Sequence, residues 1–183
     1  MLLTSERLIL REFTFEDWQA VLAYQSDSRY LQFCEWDNRK RADVEAFIKI
    51  FIEQQQQLPR IKFQLAVVLK SEDKLIGNCG IRKQNIESNQ AELGYEISPD
   101  YWGKGYATEA ASTILKFGFE DFKLYHIYSR CIAENMASRR VLQKIGMKFK
   151  RKLPKNEFFK NRHWDTLEFE ILKDKEVEKD RDR

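Results

Sequence analysis

Residues 101–110 read YWGKGYATEA: two glycines, Gly103 and Gly105, flank one lysine, and an alanine-rich run follows at once. Such a segment can hold an anion. A helix N-terminus exposes unpaired backbone N–H groups and carries positive partial charge. Glycines let that backbone curl around a phosphate with no Cβ in the way, and Lys104 adds a cation. Two common phosphate motifs fail on spacing. A P-loop needs G-x-x-x-x-G-K-[ST], whereas Lys104 is followed by Gly105. A dinucleotide fingerprint needs a third glycine where Thr108 stands, and no acidic residue ends the next strand at the right distance. Taken alone, the loop reads equally well as an anion cradle or as a plain strand-to-helix turn.

Other chemistries find less support. Cys34, Cys79 and Cys131 are far apart, and their odd number does not suit a disulfide framework, so reduced thiols are expected. His126 and His163 are the only histidines, and no H-E-x-x-H occurs, so no metal site is expected. The formal charge of +3 is too mild for a nucleic-acid binder, and alternation splits the lysines of MKFKRKLPK between two faces. Glu6, Arg7 and Arg11 interrupt the first apolar run, so it is not read as a signal peptide. No uncharged run reaches a membrane span. A cytoplasmic protein, monomeric or homodimeric, is expected.

The elements that must position the loop follow from periodicity. Residues 7–13 and 61–70 read as strands, as do 74–83, 90–98 and 126–132; the strand at 90–98 stops at Pro99. Helices are expected over 14–27, capped by Thr14, and over 41–57, with Val44, Phe47, Ile48, Phe51 and Ile52 on one side. A third spans 107–122, with Ala107, Ala110, Ala111, Ile114 and Gly118 on one face. A fourth begins at its cap Asn135 and stops at Gly146. Two last strands cover 147–153 and 165–172. The meander of strands wants antiparallel pairing, and the later β-α-β wants a parallel crossover. The expectation is a single mixed α/β (α+β) domain over residues 1–172 with a charged tail at 173–183.

Four segments together carry a family resemblance: TSERLILREFTFEDW (4–18), AELGYEISPDYWGKGYATEA (91–110), IAENMASRRVLQKIGMKFK (132–150) and HWDTLEFEIL (163–172). In their order and spacing the chain resembles the GNAT superfamily of acetyltransferases, and within it the Rim-type branch, which acetylates ribosomal-protein N-termini. The resemblance implies the acyl-CoA N-acyltransferase fold, a mostly antiparallel sheet in which strands 4 and 5 run parallel and splay. It also implies acetyl-CoA as co-substrate, with its pyrophosphate held on the main chain from Trp102 through Gly103, Lys104, Gly105 and Tyr106 to Ala107. The pantetheine arm is expected between residues 92–98 and 126–132, touching Ile97 and Asn135, in the manner of an added strand. The family often has Gln or Arg where this chain has Asp100, so that acid is expected to turn outward.

The implied reaction is direct acetyl transfer to a primary amine, on a protein N-terminus or a small molecule. The ammonium must lose a proton, the oxyanion needs donors and the leaving thiolate needs a proton. Many relatives place a tyrosine acid where this chain has Leu142; the Rim-type pattern points instead to the serine of ENMAS, Ser138. Glu92 matches a base position of the family, and a water relay is the alternative. Residues 92, 94 and 96 share a face, which puts Glu96 beside the acceptor. Glu35, Trp36 and His163 complete the expected acceptor contacts, since carboxylates attract a cationic amine and an indole stacks on it. The rival reading is a module that keeps the fold and binds acyl-CoA without catalysis; Leu142 and Asp100 are the departures that feed it.

Overall fold

The computed structural model describes residues 1–173; the expected tail therefore lies almost wholly outside the described residues. The chain forms one 8-stranded sheet in the order β1-β2-β3-β4-β5-β6-β8-β7. Its strands are β1 (Leu2–Thr4), β2 (Leu8–Arg11), β3 (Lys62–Leu69), β4 (Lys74–Arg82), β5 (Gln90–Ile97), β6 (His126–Ile132), β7 (Lys148–Phe159) and β8 (Arg162–Leu172). Helices α1 (Trp18–Gln25), α2 (Ser28–Leu31) and α3 (Arg41–Gln55) precede β3; α4 (Tyr106–Glu120) links β5 to β6, and α5 (Met136–Lys144) links β6 to β7. This is the mixed sheet expected for the acyl-CoA N-acyltransferase fold.

Each face of the sheet carries its own core. On one face, Val21 and Tyr24 of α1 and Val44, Ile48 and Phe51 of α3 pack on Ala66 and Val68. On the other, Ala110, Ala111 and Ile114 of α4 pack on Leu65, Val67, Ile81 and Leu93. Fully burying one such large apolar side chain contributes roughly 1.5–3 kcal/mol, enough to anchor both helical layers. The small alanines let α4 lie close to the sheet, and its start is thereby held at the C-terminal end of β5.

The feature that creates a site is an interrupted pairing. β5 and β6 run parallel and are in register at Gln90↔His126, Ala91↔Ile127 and Glu92↔Tyr128, and there the pairing ends. Beyond it β5 stays with β4 as far as Ile97↔Gly77, and β6 stays with β8 as far as Ile132↔Thr166. A wedge therefore opens between residues 93–97 and 129–132.

Three details differ from the sequence reading. A first strand, β1, pairs antiparallel with β2 across the turn at Ser5–Arg7. A one-turn helix, α2, starts after Asp27, whose carboxylate accepts the Arg29 N–H at 2.8 Å. β7 runs past Pro154 to Phe159, because β7 is an edge strand and a proline there leaves no ladder partner wanting. No helix among the described residues is long and apolar enough to cross a membrane.

Candidate active site

A cavity of about 910 Å³ occupies the wedge and extends along both faces of β5. One end of it is formed by the glycine loop. Gly103 and Gly105 have φ of 75° and 84°, left-handed values that a side chain resists. Gly105 is the N-cap of α4 and has no side-chain capping bond, so the first-turn N–H groups of α4 lack a side-chain acceptor. A Cβ at Gly103 would meet nothing within 4 Å. The loop thus offers open space in front of unfilled donors, which fits a pyrophosphate. Arg140 and Lys144, four residues apart on α5, also line the cavity and add positive charge. The sequence reading missed both. Their spacing on the helix face opposite Leu142 was the available signal.

Asp100 does turn away from the loop. Its carboxylate pairs with Arg29 on α2 at 2.7 Å. Lys104 is outside the cavity lining: its ammonium donates to the Asp100 carbonyl at 3.1 Å and lies over the Tyr101 ring. The cation expected at the phosphates is therefore held off them. Trp102, Gly103, Gly105, Tyr106, Ala107, Ile97 and Asn135 all line the cavity. The Ile97 carbonyl accepts the Trp102 indole N–H at 2.6 Å, which fixes the bend leading into the loop.

At the middle of the cavity stand two groups carried by adjacent residues of β5. Successive strand side chains point to opposite faces. Tyr95 reaches the first turn of α5, where its phenolic oxygen lies 2.8 Å from Ser138 Oγ. Asn135 caps that turn by accepting the Ser138 N–H at 3.0 Å. Burial pushes the Tyr95 hydroxyl pKa up, so the phenol keeps its proton at neutral pH. Cys131 lies beside this pair, and burial raises its thiol to about 11; a thiol so seldom ionised is a poor nucleophile.

Glu96 faces the other way, towards α1. Its Oε2 accepts from Tyr24 Oη at 3.1 Å, Gln25 Nε2 at 3.1 Å and Asn78 Nδ2 at 2.7 Å. Burial and the negative charge of Glu96 push the Tyr24 pKa well up, which keeps Tyr24 a donor. The chain of bonds continues: Gln64 Nε2 donates to Asn78 Oδ1 at 2.6 Å, and Arg82 Nη1 donates to Gln64 Oε1 at 2.7 Å. Gln25, Gln64 and Asn78 are buried, so leaving any of them unpaired would cost about 1–3 kcal/mol. Glu96 is thus held by a satisfied network.

Glu92 is not brought to the cavity. It lies on the part of β5 still paired with β6 and faces Arg82 at 3.9 Å. The expectation that it stands in the cleft is corrected by the register: the wedge opens only after residue 92. His163 is also elsewhere. It is exposed at the hairpin and packs on Phe158, with ring centroids 4.8 Å apart. Glu35 and Trp36 line the cavity, together with Tyr30, Phe33, Glu157 and Phe159. One face of Trp36 is already covered by Arg39, 4.5 Å from the ring centroid. Lys160, at the tip of the β7–β8 hairpin, donates to the Leu31 carbonyl and so ties the hairpin to α2. Among the described residues no cluster of three or more His, Cys, Asp and Glu could hold a metal.

Residues 7–148 match the family described as acetyltransferase (GNAT) domain. The chain belongs to the GNAT family. It is 37% identical over 179 residues to the uncharacterized N-acetyltransferase YnaD of Bacillus subtilis, covering 95% of this chain and 98% of that protein. A crystal structure of a GNAT-family acetyltransferase from Bacillus anthracis superposes with a TM-score of 0.81 at 33% identity, covering 94% of this chain and 98% of the other. A spermidine N-acetyltransferase from Vibrio cholerae, solved in complex with CoA and spermine, shares the GNAT fold with a TM-score of 0.77 at 20% identity, over 92% and 96% of the two chains. The chain is accordingly a GNAT-family N-acetyltransferase.

Proposed function

We propose that this GNAT enzyme transfers the acetyl group of acetyl-CoA to a primary amine by direct attack, with Glu96 as base and Ser138 as acid. The observation that carries the reading is the placement of these two groups on opposite faces of β5, on either side of the open wedge. When bound, acetyl-CoA supplies an activated acyl group as a thioester. The glycine loop, Arg140 and Lys144 hold its phosphates, and the unpaired flank of β5 receives its arm. Glu96 takes the proton that the acceptor ammonium must lose, directly or through one water. Ser138 Oγ gives the proton that the departing thiolate needs and regains one from solvent in the open cavity, while Tyr95 fixes the direction of the Ser138 hydroxyl. The base role thus moves from Glu92 to Glu96.

The acceptor side supports a cationic amine. Glu35, Glu96 and Glu157 supply negative charge, and Tyr30 and Phe33 supply ring surface. A small polyamine-like amine and a protein N-terminus both meet that description. The Rim-type affiliation stays part of the proposal and rests on the ENMAS serine and the opening TSERLILREF segment.

The test is release of free CoA thiol from acetyl-CoA across a panel of amines, with calorimetry of coenzyme binding alongside. Amine-dependent release supports the reading. Binding without any release would make the chain an acyl-CoA-binding module, and no binding at roughly tens of micromolar, an ordinary KM for an enzyme, would overturn both. Ser138→Ala is expected to lower kcat about 10²-fold, at the low end for a proton-transfer residue, with coenzyme affinity little changed. An unchanged kcat removes Ser138 from the mechanism.

A further inference from the structure

We propose that Arg7, on the turn between β1 and β2, is a positioning residue that holds the glycine loop in its anion-binding form. The inference rests on the coenzyme reading above and adds a residue nearly a hundred positions away from the loop.

Arg7 reaches the loop at several points. Its Nη1 donates to the Lys104 carbonyl at 3.0 Å, and its guanidinium lies 4.5 Å from the centroid of the Tyr106 ring. Its Nη2 stands 3.4 Å from where a Cβ on Gly105 would be. In a trans peptide the C=O and the N–H point in opposite directions. Pinning the Lys104 carbonyl towards Arg7 therefore turns the Gly105 N–H the other way. The same bond fixes the peptide plane entering the left-handed Gly105, which has no side chain to fix it.

Arg7 also answers an electrostatic problem. Glu109 lies in the first turn of α4, close to where an anion would sit. Its carboxylate accepts the Arg7 backbone N–H at 2.7 Å, the Arg7 Nε–H at 2.7 Å and the Ser5 hydroxyl at 2.7 Å. Burial works against the charged carboxylate, but these three donors outweigh it and hold its pKa below the ordinary value. Glu109 is thereby ionised, neutralised and turned to the N-terminal turn. Without the Arg7 side chain the backbone N–H and Ser5 would still hold the carboxylate, but its charge near the phosphates would lose its counter-cation, and the loop would lose the contact that orders it.

The experiment compares wild type, Arg7→Ala, Arg7→Lys and, as a control for lost ion pairing elsewhere, Arg60→Ala. CoA affinity is measured by calorimetry, steady-state rates by thiol release, and amide hydrogen exchange at Glu109, whose N–H donates to the Gly105 carbonyl at 3.0 Å, in the free protein by mass spectrometry. Arg7→Ala should weaken CoA about 10- to 100-fold, the range for a lost charged hydrogen bond. It should also speed exchange at Glu109, the amide bonded to the Gly105 carbonyl, while kcat at saturating acetyl-CoA and the acceptor KM stay within about twofold. Arg7→Lys keeps the charge, loses the forked geometry and should fall between. Arg60→Ala should leave CoA affinity unchanged. Equal CoA affinity in Arg7→Ala and wild type overturns the clamp. If the wild type does not bind CoA, the coenzyme reading fails by itself, and the clamp is then judged by exchange: unaltered exchange in Arg7→Ala overturns it.

Discussion

Glu96→Gln is expected to lower kcat by roughly 10²- to 10⁴-fold, the usual contribution of a positioned general base. The reason lies in how the carboxylate is held. Three donors converge on Oε2: the Tyr24 phenol and the amide groups of Gln25 and Asn78. A glutamine in the same place satisfies those donors only with its oxygen. Its NH2 must then take the place of Oε1, and an amide nitrogen cannot accept a proton. The substitution therefore keeps the shape and the network while removing the base. Coenzyme affinity should change little, because the glycine loop and Ser138 are reached from the other side of β5. Glu92→Gln is the paired control and should leave kcat within about twofold. Steady-state thiol-release assays check both; a Glu96→Gln enzyme with wild-type kcat would sink the assignment.

Gly77→Ala is expected to lower stability by about 1–3 kcal/mol, the cost of forcing a methyl group into a packed site. Gly77 is opposite Ile97 in the β4–β5 ladder. A Cβ there would lie 2.1 Å from the Glu96 carbonyl oxygen and 2.9 Å from Ile97 Cα. Both are backbone atoms, so no rotamer change relieves the clash and the two strands must part. They part at the residue that carries the base, so activity should fall along with stability. For a domain of this size the melting midpoint should drop by about 2–4 °C per kcal/mol. An unchanged midpoint with full activity would show that β4 and β5 can separate there freely.

Much of the fold is legible in the chain because its signals are local. The alanine face of α4, the Asn135 cap with Ser138 in the turn it starts, and the left-handed glycines each follow from nearby residues. The failures share a different cause. Period two correctly puts residues 92 and 96 on one face, yet nothing in that alternation says where β5 parts from β6. That point depends on β6 staying with β8, a pairing between segments about forty residues apart. Pro154 reads as the end of a strand only if the strand is central, and edge position is a property of the finished sheet. Lys104 has the right charge in the right loop, but a carbonyl and a ring hold it aside. Arg7 gives no local sign of its contact with Glu109, 102 positions away.

The bond chain that ends at Glu96 starts at Arg82 and lies flat over two residues that have no side chain. A Cβ on Gly80 would fall 2.3 Å from Gln64 Oε1, and one on Gly94 would fall 2.7 Å from Arg82 Nη2. Those two bare positions are the bed in which Arg82 and Gln64 rest. Any larger residue at Gly94 would lift Arg82 off Gln64, and the disturbance would pass through Asn78 to the carboxylate. Neither glycine lines the cavity. The placement of the proposed base can therefore be adjusted from outside the site, by substitutions at positions that do not line the cavity.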